Sequence, residues 1–241
     1  MQIAATDTRS RVTGAIQLAS ASTGVDFGYL YAQAKLESGL NPDAKAATSS
    51  ARGLYQFTSG TWLDTVRRHG AEYGLGWAAD ALKAGADPAT RAAILDLRRD
   101  PQAAAHMAGA FAADNRARLE TGLGRAATAT DLYMAHFLGS AGALRFLRAR
   151  DADPQAVAAS VAPAAAHANR TVFFAADGKP RSLDAIYDRF AAKLGGSALP
   201  PAGKDVPVRW PGVQITAAPA MPQARPEAAR LAYLLLAELG A

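Results

Sequence analysis

Three acid–proline pairs, Asp87-Pro88, Asp100-Pro101 and Asp153-Pro154, punctuate an alanine-rich chain and constrain its fold more than any other feature. An Asp at the N-cap accepts from the first free N–H groups of a helix. Pro at the first helical position lacks only an N–H that would have had no helical partner. Each pair therefore predicts a helix start. Thr128, with Asp131 three residues later, reads as a capping box with Asp in place of Glu or Gln. Ser182 reads as the cap of a helix reaching about Lys193. Only Thr171-Val172-Phe173-Phe174 looks extended, with Asp177-Gly178 as the turn after it. The expectation is one mainly α domain over residues 1–195, built of roughly eight to ten short helices.

Composition supports a packed fold and removes several chemistries. Half of the 241 residues are hydrophobic, enough to bury a core. There is no cysteine, which excludes disulfides, thiolate metal sites and a cysteine nucleophile, and is compatible with an oxidising compartment such as a periplasm. The formal net charge of +5 favours a polyanionic partner. The basic residues are scattered in pairs such as Arg67-Arg68 and Arg98-Arg99, without the run that marks a nucleic-acid arm, so no nucleic-acid partner is expected. Near the chain ends the longest apolar run is Leu231 to Ala237, far short of the ~20 residues of a membrane span. The segment Met1 to Asp7 has neither the basic nor the apolar part of a standard signal peptide, which leaves the export route open.

After Leu194 the composition changes. Residues 196–225 are rich in Pro, Gly and Ala and read as a semi-extended linker, within which Arg209-Trp210 and Val213-Gln214-Ile215 are candidates to pack onto the domain. Residues 226–241 read as a helix that is apolar almost all round, with Arg230 and Glu238 as its charged interruptions. Such a helix needs a covering surface: the domain itself, a partner or a second copy.

The segment from Phe27 to Trp62 is the most informative about chemistry. Phe27, Leu30, Tyr31 and Ala34 follow the spacing of one buried helix face, and continuing that face reaches Glu37 and Ser38. Gly39 suits a left-handed helix end and Asn41-Pro42 cannot extend the helix. A carboxyl placed there loses hydration and faces the partial negative charge of the helix C-terminus. Both effects favour the proton-carrying form that a general acid needs. An ordinary exposed or salt-bridged Glu is the alternative. Downstream, Gly53-Leu54-Tyr55-Gln56-Phe57 suggests a tight turn beside a cleft. Gln56 has both a donor and an acceptor for a sugar, and Tyr55 and Phe57 have flat apolar surface for a sugar ring or for the core.

Glu37-Ser38, followed sixteen residues after the Glu by Gly53-Leu54-Tyr55-Gln56-Phe57, strongly resembles the paired signature of the soluble lytic transglycosylases, lysozyme-like enzymes that cleave bacterial peptidoglycan. The resemblance is clear over residues 10–75 and extends to about 193. It implies a lysozyme-like (goose-type) domain and a peptidoglycan glycan-strand substrate. Glu37 would protonate the bond between N-acetylmuramic acid and N-acetylglucosamine, then act as base while a 1,6-anhydro ring closes. It also implies substrate contacts from Ser38, Tyr55, Gln56, Phe57, Tyr133 and His136, no metal or cofactor, and work in the periplasm or cell envelope. Ser38 would help fix the Glu side chain or bond its own backbone.

A later family motif, Ala-Tyr-Asn-Ala-Gly, aligns with Ala135-His136-Phe137-Leu138-Gly139, where only the first Ala and the final Gly are kept. His136 is open to three roles: a sugar ligand, an orienter of Glu37, or a satisfied helix histidine. Tyr187 and the region Asn169 to Phe174 are candidates for a late site tyrosine or its surroundings. The overall pattern resembles a proteobacterial branch tied to flagellar or other envelope machines, to which residues 226–241 would dock. Asp43 and Asp64, the nearest carboxylates in sequence, do not stand out as a second acid. That favours the lyase over a hydrolytic muramidase; against a non-catalytic wall-binding protein stands the intact Glu37, and for it the altered later motif. His69, His106 and His167 lack paired metal-ligand spacing, and the metalloprotease, phosphate-loop, dinucleotide and serine-elbow motifs are missing.

Overall fold

The computed structural model describes residues 2–197, with side chains over 8–195. The chain is mainly helical, and among the described residues no strand forms. In order come α1 (Gln2–Thr23), α2 (Phe27–Ser38), α3 (Ser59–His69), a 3-10 turn (Gly70–Tyr73), α4 (Gly76–Ala84) and α5 (Pro88–Asp96). A second 3-10 turn (Leu97–Arg99), α6 (Pro101–Leu123), α7 (Ala129–Ala152), α8 (Ala158–Val161), α9 (Pro163–Ala168), α10 (Arg170–Phe173) and α11 (Leu183–Ser197) follow. There are more helices than expected because the 152–173 stretch breaks into single turns. Helix α11 also overruns the predicted boundary at 195, and the rest of the expected linker (198–225) and the expected helix (226–241) lie outside the described residues. Among the described residues no helix is long and apolar enough to cross a membrane.

Local chemistry sets most of the boundaries. Asp87 accepts from Ala89 N and Thr90 N at the start of α5, and Asp100 from Ala103 N at the start of α6. Thr128 and Asp131 form a reciprocal capping box on α7. Ser182 accepts from Ala185 N and caps α11. Two expectations are corrected. Asp153 does not start a helix. It closes α7, and its carboxylate folds back on Gln155 N (3.0 Å) in an Asx turn that competes with helix initiation. Thr171 to Phe174 is not extended: Asn169 O accepts from Val172 N and Phe173 N, closing the single turn α10. The turn at Asp177-Gly178 is present and joins an isolated bridge between Phe174 and Pro180.

Helix α6 is the hub. It packs against α1, α7, α3 and α2, while α11 covers α7 and α2. Its small buried residues, Ala104, Ala105, Ala108, Gly109 and Ala112, let its neighbours approach closely. A Cβ on Gly109 would lie 2.5 Å from Thr23 Oγ1 of α1. Helix α2 is consequently buried on several sides rather than along one stripe. Leu30 and Ala34 are buried as expected, but Phe27 and Tyr31 are only half-buried, their rings tilted by 31° with centres 5.9 Å apart. The buried residues Tyr29, Gln33 and Glu37, four apart, form a separate stripe. Helix α7 breaks at Gly139 (φ 71, ψ 156), a conformation open essentially to glycine alone, so the segment carrying His136 ends there.

Candidate active site

Glu37 occupies the last turn of α2, which ends on left-handed Gly39 (φ 61) with Gly39 N donating to Lys35 O at 2.9 Å. The residue is only 2 % exposed, and neither carboxyl oxygen accepts a hydrogen bond from the described residues. Buried polar groups without partners are costly, and proteins that retain them call for a chemical explanation. The His136 imidazole of α7 approaches the carboxyl, with Nε2 3.1 Å from Glu37 Oε1. That approach is close but too oblique for a hydrogen bond. On its other side, His136 Nδ1 lies 3.2 Å from the Gln33 amide nitrogen.

Two tyrosines, Tyr29 and Tyr133, sit near the carboxyl, and Tyr55 lies near Tyr29. Burial pushes the phenols of Tyr29 and Tyr133 above their usual range, and the Glu37 charge adds to it. Burial, reinforced by Tyr29, does the same to Tyr55. All three phenols therefore keep their protons at any ordinary pH and remain donors.

The chain from Gly39 to Thr58 is irregular yet tightly held. Ser38 Oγ donates toward Leu54 O (2.8 Å) and Ala34 O (3.1 Å) and accepts from Asn41 N (3.2 Å). Ser38 thus bonds its own backbone and ties the Gly53–Phe57 turn to the end of α2, without touching Glu37 through a hydrogen bond. Gly53 (φ 81) donates to Ala44 O at 2.8 Å and passes so close to the second 3-10 turn that a Cβ would stand 1.9 Å from Arg98 O. Gln56 takes a left-handed φ of 46, uncommon outside glycine, and its amide nitrogen donates to Gly53 O (2.8 Å) and Ala44 O (3.2 Å). Buried Arg98 donates to Ser50 O (2.7 Å) and Phe57 O (3.1 Å).

A recess of about 10 Å3, room for roughly one water, is lined by Tyr29, Gln33, Tyr55, Phe57, Phe111, Asn115 and His136 with two alanines of α6; Glu37 is not part of this lining but adjoins it through His136. Of the expected site residues, Tyr55, Phe57 and His136 line it. Tyr55 is a buried wall whose hydroxyl lacks a partner, and Phe57 makes edge contacts with Trp62 (5.4 Å) and Phe111 (6.3 Å). Ser38 and Gln56 stand behind the wall as ties of the turn. Tyr133 backs the recess, its ring 5.9 Å from His136 and 5.4 Å from Phe190. Phe137 is wholly buried against Phe173 and Phe190 and belongs to the core. Tyr187 lies elsewhere, bonded to Asp131 and Thr128 and stacked under Arg150. Asn169 is buried and donates to Ala165 O. Sequence reasoning missed Tyr29, Gln33, Phe111 and Asn115. Stepping back from Glu37 by four and by eight residues would have found the first two.

No family model matches the sequence. The remaining polar clusters make weaker candidates. Asp43 pairs with Arg99 (2.8 Å), and Asp64 with Arg67 (2.8 Å) and Arg68 (3.1 Å). His69 and Arg68 meet on Asp114, and His106 Nδ1 bonds Gln102 O at 2.8 Å. Among the described residues no cluster of three metal-binding side chains forms.

Proposed function

We propose that the protein is a peptidoglycan lytic transglycosylase with a lysozyme-like helical domain, working on glycan strands in the periplasm or cell envelope. One observation carries the reading: a buried carboxyl that accepts no hydrogen bond from the described residues, at the C-terminal end of a helix, against His136, which lines a small recess walled by aromatic rings. Proton-bearing Glu37 donates to the glycosidic oxygen between N-acetylmuramic acid and N-acetylglucosamine, and the C1–O bond breaks. The muramic C6 hydroxyl then bonds to C1 and returns its proton to Glu37, so that the acid ends as it began and no water is consumed. A single carboxyl suffices for this sequence, whereas an ordinary glycosidase needs two. Asp43 and Asp64, both engaged by arginines, support the one-carboxyl reading. The positive net charge favours association with an anionic wall.

The closure over Glu37 favours a second reading, a wall-binding protein without turnover, because substrate reaches the carboxyl only if His136 and its neighbours move. Incubation of wild type and Glu37→Gln with purified sacculi separates the two. Soluble fragments released by wild type alone support the enzyme. Release by neither protein, with sacculi retained on both, supports the binding reading.

A further inference from the structure

We propose that Gln33 and His136 are positioning residues for Glu37, with Gln33 fixing the imidazole tautomer that presents Nε2–H to the carboxyl. This rests on the reading of Glu37 as acid and base.

Gln33 and Glu37 stand one turn apart on α2, and His136 of α7 spans the interval between them. Gln33 is 4 % exposed and Glu37 2 %. The Gln33 amide nitrogen, a donor with no lone pair to offer, faces His136 Nδ1 at 3.2 Å. Nδ1 must therefore accept. A neutral imidazole carries one N–H, which falls on Nε2, the atom 3.1 Å from Glu37 Oε1. Turning the amide over would put Gln33 Oε1 against Nδ1, call for a proton there, and leave a lone pair on Nε2 facing the carboxyl oxygen of the neutral ring. The observed orientation leaves Gln33 Oε1 buried without a partner. Either orientation spends one end of the amide on the ring; the one present leaves a donor rather than a lone pair on the side of the ring that faces Glu37.

The consequence for the reaction is a difference between two states. Before transfer, Glu37 holds its own proton and gains little from a neighbouring donor. After transfer it is a buried anion, and Nε2–H is positioned to bond it once the ring turns into line. Hydrogen bonds at catalytic groups are often misaligned without substrate and tighten in the complex. A donor that stabilises only the later state acts on kcat more than on KM.

The test uses the full chain. Nitrogen-15 NMR of the ring nitrogens, with His136 assigned by its loss in His136→Gln, reads the tautomer directly. Wild type is expected to show protonated Nε2 and unprotonated Nδ1 in the neutral ring. Gln33→Leu is expected to shift His136 toward the Nδ1–H form and to lower kcat about tenfold with KM nearly unchanged. Gln33→Met, which removes the donor to Nδ1 while nearly keeping the side-chain volume, is expected to do the same and serves as the second variant should the Leu protein fail to fold. A wild-type His136 protonated at Nδ1, or a ring unchanged in both variants, overturns the assignment. So does an unchanged kcat in a variant whose tautomer has shifted. If Glu37→Gln digests sacculi as wild type does, the acid–base reading fails and the positioning role with it, while the tautomer alone still decides whether Gln33 sets the ring.

Discussion

Gly53 cannot tolerate a side chain: its φ of 81 is disfavoured for any L residue, and a Cβ there would overlap Arg98 O at 1.9 Å. Gly85 separates the two effects, since its φ is 87 but nothing lies within 4 Å of where a Cβ would stand. Gly85→Ala is expected to cost about 1 kcal/mol from backbone conformation alone. Gly53→Ala is expected to cost clearly more and to loosen the turn that carries Tyr55 and Phe57. For a chain of this size about 1 kcal/mol moves the melting temperature by roughly 2–4 °C, so calorimetry on the two variants resolves the difference; equal shifts would mean the close approach to Arg98 is of no consequence. Trp62 offers a second check. Its ring is fully buried and Nε1 donates to Ile94 O at 2.7 Å. Trp62→Phe keeps an aromatic ring but orphans that carbonyl, and a loss of about 1–3 kcal/mol in urea unfolding is expected. Tyr55 and Phe57 were legible as one segment because the motif keeps them within a single turn, whereas the approach of His136 to Glu37 depends on how α7 packs and no spacing within the motif specifies it. For Ser38 a bond to its own backbone was among the readings and is present; Gln56 read as a substrate contact, since its backbone-holding bonds depend on a turn geometry that no spacing rule specifies.

Helix α7 starts on a buried charge. Asp131 is fully buried, and burial by itself would raise its pKa. The bonds from Arg125 (2.6 Å), from Thr128 N (2.9 Å) and from Tyr187 (3.1 Å) outweigh that and hold the carboxyl below the usual carboxylate range. A carboxyl lowered by folding contributes stability that is present above its unfolded value and lost as pH falls through its folded value. Asp131→Asn is thus expected to cost about 1–3 kcal/mol at neutral pH and progressively less as the pH is taken below the ordinary carboxylate range. Urea unfolding of both proteins across that range checks the sign; a penalty that grows on acidification contradicts it. This cap was legible in the sequence, as were Asp87 and Asp100, because capping depends on residues within one turn. Asp153-Pro154 carried the same signal and misled. Its side chain bonds Gln155 N instead, and the chain continues through short turns whose ends are set by packing. The stripe of Tyr29, Gln33 and Glu37 follows helical spacing, but its burial does not: α1, α6 and α11 pack on α2, and His136 of α7 reaches it.

One hydrophobic cluster runs from Val12 of α1 to Leu194 of α11 and draws on nearly every helix between them. A core shared in this way predicts a single cooperative transition, in which near- and far-ultraviolet circular dichroism coincide on heating; separated transitions would divide the fold into independent parts. The mainly α character was legible from composition and punctuation. The arrangement around α6 was not, because alanine-rich faces carry little amphipathic contrast to say which neighbour they meet. The central claim concerns what this arrangement does to a glycan strand, and product mass tests it most directly. Purified sacculi are digested with wild type and with Glu37→Gln, and the soluble fragments are weighed by mass spectrometry. Wild type is predicted to yield muropeptides lighter by one water than hydrolytic products and without new reducing ends, and Glu37→Gln is predicted to yield none. Fragments with reducing ends, or release that survives loss of the Glu37 carboxyl, would contradict the account.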